Sequence, residues 1–157
     1  MAAATLTYTA NMAESARASH EGVNALTCSF NSGATKIGTT SDVILLGKIP
    51  NGATVVEGWI SGSTGATAQK WQLSAVHPDD FTKSGGTLLL GDTAGTMTVV
   101  TGAVRFNLLQ AKRVSLSADV TVANAILYLN CLAGTETVSV SLQGCIMYVC
   151  DGRAQSD

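Results

Sequence analysis

The chain has 157 residues, a length that suits one domain with a core of its own, so neither a metal nor a disulfide staple is required to hold it. Only 13% of the residues are charged and the net charge is -2, with nine basic residues spread along the chain. That excludes the basic footprint of a nucleic-acid binder and suits a protein whose faces meet other proteins.

Residues 1–22 read as an N-terminal arm. Ala, Thr, Ser and Asn dominate it and no period persists; Ala10 to His20 admits a short helix whose only large apolar residue is Met12. The start has neither a charged n-region nor a continuous apolar core, so no export signal is expected. No apolar run reaches the ~18 residues of a membrane span. Reduced, unlinked thiols are therefore expected at Cys28, Cys131, Cys145 and Cys150, whose spacings also fit no zinc site.

The β pattern begins at Val23–Phe30, with Leu26, Cys28 and Phe30 on one face and Asn24, Thr27 and Ser29 as polar neighbours. Two apolar runs follow, Val43–Ile49 and Thr54–Ile60, on either side of Pro50-Asn51-Gly52. Pro presets φ at the second position of a turn, and Asn and Gly tolerate positive φ. The spacing predicts a β-hairpin, or two strands joined across an edge, at the centre of an all-β domain. In the second run Val56, Gly58 and Ile60 share one face, and Val55, Glu57 and Trp59 the other. Glu57 is read as a solvated or interfacial side chain, because no second carboxylate is placed to pair with it.

Gly62–Thr67 reads as a loop. Lys70–His77 alternates cleanly, Trp71, Leu73 and Ala75 against Lys70, Gln72 and Ser74. His77-Pro78-Asp79-Asp80 closes that strand; Pro stops it and adjacent Asp side chains diverge, so no metal is expected there. Ser84-Gly85-Gly86 reads as a turn before a strand over Thr87–Leu90. Gly91–Gly95 is a loop with neither the Lys nor the following helix of a phosphate loop. Met97–Val100 resumes a strand, and Val104–Lys112 is open to helix or extended chain. Arg113–Val122 has period 2, with Val114, Leu116, Ala118, Val120 and Val122 inward. Ala125–Cys131 reads as another apolar strand. Val138–Cys150 ends the pattern with Val138, Val140, Leu142, Gly144, Ile146 and Tyr148 on one face and a bulge expected at Gly144. Residues 151–157 form a polar tail.

Eight to ten short strands with Gly-rich turns and no strong helix make an all-β fold, a jelly-roll-like antiparallel β-sandwich over residues 23–150, with an extended N-terminal arm at 1–22 and a flexible tail at 151–157. No Ser-His-Asp set, paired carboxylates or metal ligands are spaced for chemistry. No catalytic, cofactor-binding or metal-binding residue is assigned, and no cofactor is expected.

The stretch Thr40–Ser61, with Ser41-Asp42-Val43-Ile44, Lys48-Ile49-Pro50 and Gly52-Ala53 in it, resembles small structural proteins of tailed bacteriophages. Thr87–Asp92 and the closing strand Val138–Cys150 are similar to their counterparts there. The resemblance implies a non-enzymatic virion protein, a jelly-roll decoration (cement) protein on the outer surface of the phage head. It implies assembly in the host cytoplasm, binding to the major capsid protein and self-association as a dimer or trimer, with neither nucleic acid nor membrane as partner. The other readings are a head fibre, tail or assembly protein, and a carbohydrate-binding jelly roll. Sugar-binding faces need exposed aromatics beside carboxylates and amides; Tyr8, Trp59, Trp71, Tyr128 and Tyr148 are the candidates, of which Trp71, Tyr128 and Tyr148 fit core positions.

Overall fold

A computed structural model describes residues 7–14, 22–35, 37–40, 42–64, 68–92, 95–116, 122–134 and 139–150. Its strands are β1 (Thr7–Thr9), β2 (Asn11–Glu14), β3 (Val23–Asn31), β4 (Val43–Pro50), β5 (Thr54–Thr64), β6 (Gln69–His77), β7 (Asp80–Thr87), β8 (Thr96–Val99), β9 (Val104–Asn107), β10 (Lys112–Arg113), β11 (Asn124–Ala133) and β12 (Val140–Val149). They form two sheets. One has the order β1-β4-β11-β6-β7, with β8 also on β6; the other has the order β10-β5-β12-β3-β2, with β9 also on β5. Every pairing is antiparallel except β1 on β4. The chain from β3 to β6 changes sheet at each step, and β9, β11 and β12 change again, which is the winding of a jelly roll.

The two inner faces make one core. Trp71, Leu73 and Ala75 of β6 and Leu127, Leu129 and Cys131 of β11 are fully buried. They face Leu26, Cys28, Ile60, Val140, Leu142, Ile146 and Tyr148 of the other sheet. The alternation read in Val140–Tyr148 is the alternation observed; in β6 it holds over Lys70–Leu73, and from Ser74 to His77 both faces of the strand are buried. Asn24, read as a polar neighbour, lies on the inward parity with Leu26 and Cys28 and is buried. Gly144 carries no bulge. Its close neighbours explain it instead: a Cβ there would lie 2.8 Å from the Trp59 carbonyl oxygen and 3.0 Å from Ile60 Cγ1. The bulge lies between Met147 and Tyr148, opposite Val56. It ejects Val56 to the surface and returns Val55 to the core, so the faces assigned to those two residues exchange.

Pro50-Asn51-Gly52 does not close a hairpin. β4 and β5 belong to opposite sheets, so the turn carries the chain across the edge of the sandwich. Pro50 takes the first turn position rather than the second, its carbonyl accepting the Ala53 N–H at 3.1 Å, and Gly52 sits third at φ 89°. Asn51 anchors the turn. Its Nδ2 donates to the Val122 carbonyl and its Oδ1 accepts from the Leu116 N–H at 3.0 Å, while the Gly52 N–H donates to the Val114 carbonyl at 2.8 Å. A β-branched residue fits positive φ badly, so Gly52→Val is expected to cost about 1–2 kcal/mol in chemical denaturation. Wild-type stability for that variant would show that the turn does not need its glycine.

Several other segments depart from the pattern. β5 continues through Gly62 to Thr64, where a loop was expected, and Ser84-Gly85-Gly86 lies inside the irregularly paired β7 rather than in a turn. Val104–Asn107 is extended, which settles that segment against a helix. Among the described residues of Arg113–Val122, Arg113 alone is in a strand; Val114 and Leu116 are buried as expected, and 117–121 lie outside the described residues. Within the N-terminal segment, Asn11–Glu14 is strand rather than helix. β1 runs beside β4 in one sheet and β2 beside β3 in the other, with buried Ala10 between them donating its N–H to Leu45 O at 2.9 Å. The tail 151–157 lies outside the described residues.

Candidate functional site

The outward face of the β3-β12-β5-β9 sheet is the most distinctive surface. Register places its side chains in rows across the strands. Asn31, Ser141 and Ser63 form one row, and Ser29, Gln143, Ser61 and Arg105 the next. Thr27, Cys145, Trp59 and Asn107 follow, then Ala25, Met147 and Glu57. Apart from Gln143 and Arg105 the side chains of the first two rows are short, and the rows leave a shallow trough of about 300 Å³ whose lining includes Ser29, Asn31, Ser61, Ser63, Ser141 and Gln143.

Beside the trough the Arg105 guanidinium lies over the Trp59 ring, 4.6 Å from its centroid, and Arg105 Nε donates to Asn107 Oδ1 at 3.0 Å. The stack holds both long side chains against the sheet and covers one face of the indole. Glu57 is exposed at the end of the face. The face is thus polar with few charges, anchored by one Trp–Arg pair.

The other candidates have structural surroundings. His77 is buried, and its Nδ1 accepts the Asp79 N–H at 3.0 Å inside the turn, so the ring fastens the β6–β7 connection. Asp79 is exposed, and among the described residues no group of three or more His, Cys, Asp or Glu could hold a metal. In the Gly91–Gly95 loop the Asp92 carboxylate accepts the Thr96 N–H at 2.8 Å, turning an acid toward the backbone where a phosphate loop would present amides. Of the aromatics, Trp71 and Tyr148 are core. Tyr128 is not: it lies opposite Ser74 on the outer face of its sheet, half-buried, with its hydroxyl bonded to Ser74, because the parity of β11 puts Leu127 and Leu129 inward.

The residues that pattern reading missed are Asp42 and Gln69, both fully buried. Asp42 Oδ2 accepts the N–H groups of Gly38 at 2.9 Å and Thr39 at 3.0 Å. Gln69 donates from Nε2 to the Ile37 carbonyl at 2.7 Å and accepts the Trp71 indole N–H at 3.1 Å. Together they fold Ile37–Asp42 over the end of the core as structure, not as a reactive site.

All four cysteines are free thiols. Cys145 and Cys150 lie five residues apart along extended chain, roughly 16 Å, too far to bridge. Burial pushes the Cys28 thiol from 9.0 up to about 11, with Cys145 adding to the effect and a backbone hydrogen bond from Gly144 opposing it. Burial does the same for Cys131, with Asp42 adding and the Ala133 backbone opposing. The native state therefore favours the protonated thiols, while unfolded thiols ionise near 8.5. Their contribution to stability is complete below that pH and is lost as pH rises toward about 11. Denaturant midpoints are expected to fall over this window, more in the wild type than in a Cys28→Ala/Cys131→Ala protein; equal slopes would refute the assignment.

No protein-family model and no curated protein sequence matches the chain. Among solved structures it is similar to a chain of "Cyanophage Pam1 capsid asymmetric unit", at 18% identity over 86% of this chain and 94% of that chain, with a TM-score of 0.46. It is also similar to "CBM4 structure and function", at 12% identity over 76% of this chain and 78% of that chain, with a TM-score of 0.39.

Proposed function

We propose that this is a non-enzymatic structural protein of a tailed-phage virion, a decoration protein that binds the outside of the head through the β3-β12-β5-β9 face. The observation that carries the reading is that face, broad, polar and nearly uncharged, with Trp59 and Arg105 stacked beside a shallow trough. Trp and Arg are the residues that dominate binding energy at protein interfaces. Hydroxyls and amides exchange water for a partner's backbone without stripping a charge. The resemblance of Thr40–Ser61 to phage structural proteins supports the same reading and names the partner, the major capsid protein. Self-association as a dimer or trimer over symmetry axes belongs to it.

The test is occupancy. Purified protein added to heads that lack it should bind in hundreds of copies, counted by quantitative mass spectrometry (a number that follows from the size of a shell, not of a tail). Trp59→Ala should weaken binding by about 2 kcal/mol or more, roughly thirtyfold, with little loss of stability. Glu57→Gln should fold as the wild type does. A handful of copies per particle would move the protein to the tail or portal, and unchanged affinity of the Trp59 variant would remove the face from the interface.

A further inference from the structure

Asn51-Gly52 is the one Asn-Gly pair in the sequence. Asn-Gly is the pair most open to deamidation, because glycine puts no side chain in the way of its own nitrogen. In that reaction the Gly52 nitrogen forms a bond to Asn51 Cγ, the Cγ–Nδ2 bond breaks, and ammonia leaves with the proton. A five-membered succinimide remains. Water then opens the ring to aspartate, or to isoaspartate with the main chain running through the former side-chain carbon.

Both reacting groups are tied down in the fold. The Gly52 N–H donates to Val114 O at 2.8 Å, and Asn51 Nδ2 donates to Val122 O at 3.1 Å. Asn51 Oδ1 accepts from Leu116 N at 3.0 Å, and the Asn51 N–H donates to Ala123 O at 2.9 Å. The nucleophile is engaged elsewhere and the amide is fixed at both its nitrogen and its oxygen, so neither can swing toward the other. We propose that Asn51 is a modification site gated by folding: protected in the native protein, and deamidated when the turn comes away from the backbone at Val114, Leu116 and Val122.

The product cannot close again as before. Aspartate has no N–H for the Val122 carbonyl and sets a carboxylate oxygen against it. Isoaspartate lengthens the main chain by one atom between the bond to Ala123 and the bond to Val114, so both cannot be remade in register. Each opening that lasts long enough leaves a permanent mark that keeps the turn open. This inference goes beyond the decoration reading and does not depend on it.

The experiment uses the full wild-type chain in mildly alkaline buffer, with and without denaturant, followed by peptide mapping for the mass change at Asn51. Deamidation is expected in the denatured chain and to be at least about tenfold slower in the folded one, because attack waits on local opening. Equal rates in the two conditions would overturn the proposal. A denatured sample taken at partial modification is then returned to native buffer and digested briefly with protease. Unmodified chains should be enriched in the resistant fraction. An even split of modified and unmodified chains between the fractions would overturn the claim that the mark keeps the turn open.

Discussion

Trp71→Ala should remove about 3–5 kcal/mol of stability, enough to leave a domain of ordinary stability barely folded. The indole is fully buried near the start of β6, between the two sheets, and the register shift of β11 falls beside its partner Cys131, between Cys131 and Ala133. Its loss is also polar. Trp71 Nε1 donates to Gln69 Oε1, and Gln69 Nε2 holds the Ile37 carbonyl. Without the indole, a buried amide oxygen loses its donor, a penalty additional to the cavity. Trp71→Phe separates the two costs: it fills most of the volume but supplies no N–H, so its destabilisation should fall well below that of the alanine variant. Urea midpoints for the three proteins decide the matter, and an alanine variant within about 1 kcal/mol of wild type would show that the site collapses without loss.

Asp42→Ala is expected to cost about 2–5 kcal/mol, since it orphans two amides, those of Gly38 and Thr39, that have lost water as well. The strand beyond it depends on the same residue: the Asp42 backbone carbonyl accepts the Cys131 N–H at 2.9 Å, and Ile37 is fully buried under the folded loop. Asp42→Asn keeps an acceptor oxygen and should lose less. Hydrogen exchange at the Gly38 and Thr39 amides gives the sharper readout. Those amides should lose protection in the alanine variant while the amides of β12 at the far sheet keep theirs. Unchanged protection at Gly38 would mean the carboxylate does not hold the loop.

How much of this was legible in the sequence depends on whether the information was local. The alternation of Trp71, Leu73 and Ala75, and that of Val140 to Tyr148, reads directly as a half-buried strand, because side-chain parity is fixed by the backbone. The all-β architecture follows from adding such segments. Pro50-Asn51-Gly52 announces a chain reversal, but turn chemistry does not say whether the next strand pairs with the last or crosses to the opposite sheet. Here it crosses, and the partners of Asn51 lie far along the chain at Leu116 and Val122. Val55 and Val56 exchange faces through a bulge paired across to β12, which no local pattern encodes. Asp42 and Gln69 look like loop polar residues until tertiary structure buries them. The candidate face was half visible: Glu57 and Trp59 were placed outward, whereas Arg105 joins them only when β9 is laid against β5.

Among the described residues, the strands that border the sheets are mostly brief: β1 spans three residues, β2 four, β9 four and β10 two. A short border offers a newcomer few free backbone groups, and the irregular pairing of β7 gives a poor template for a straight one. Runaway fibril growth by strand addition is thereby discouraged, even in a chain with only 13% charged residues to keep copies apart. Crowding at high local concentration should therefore find little purchase for edge-to-edge growth on these borders.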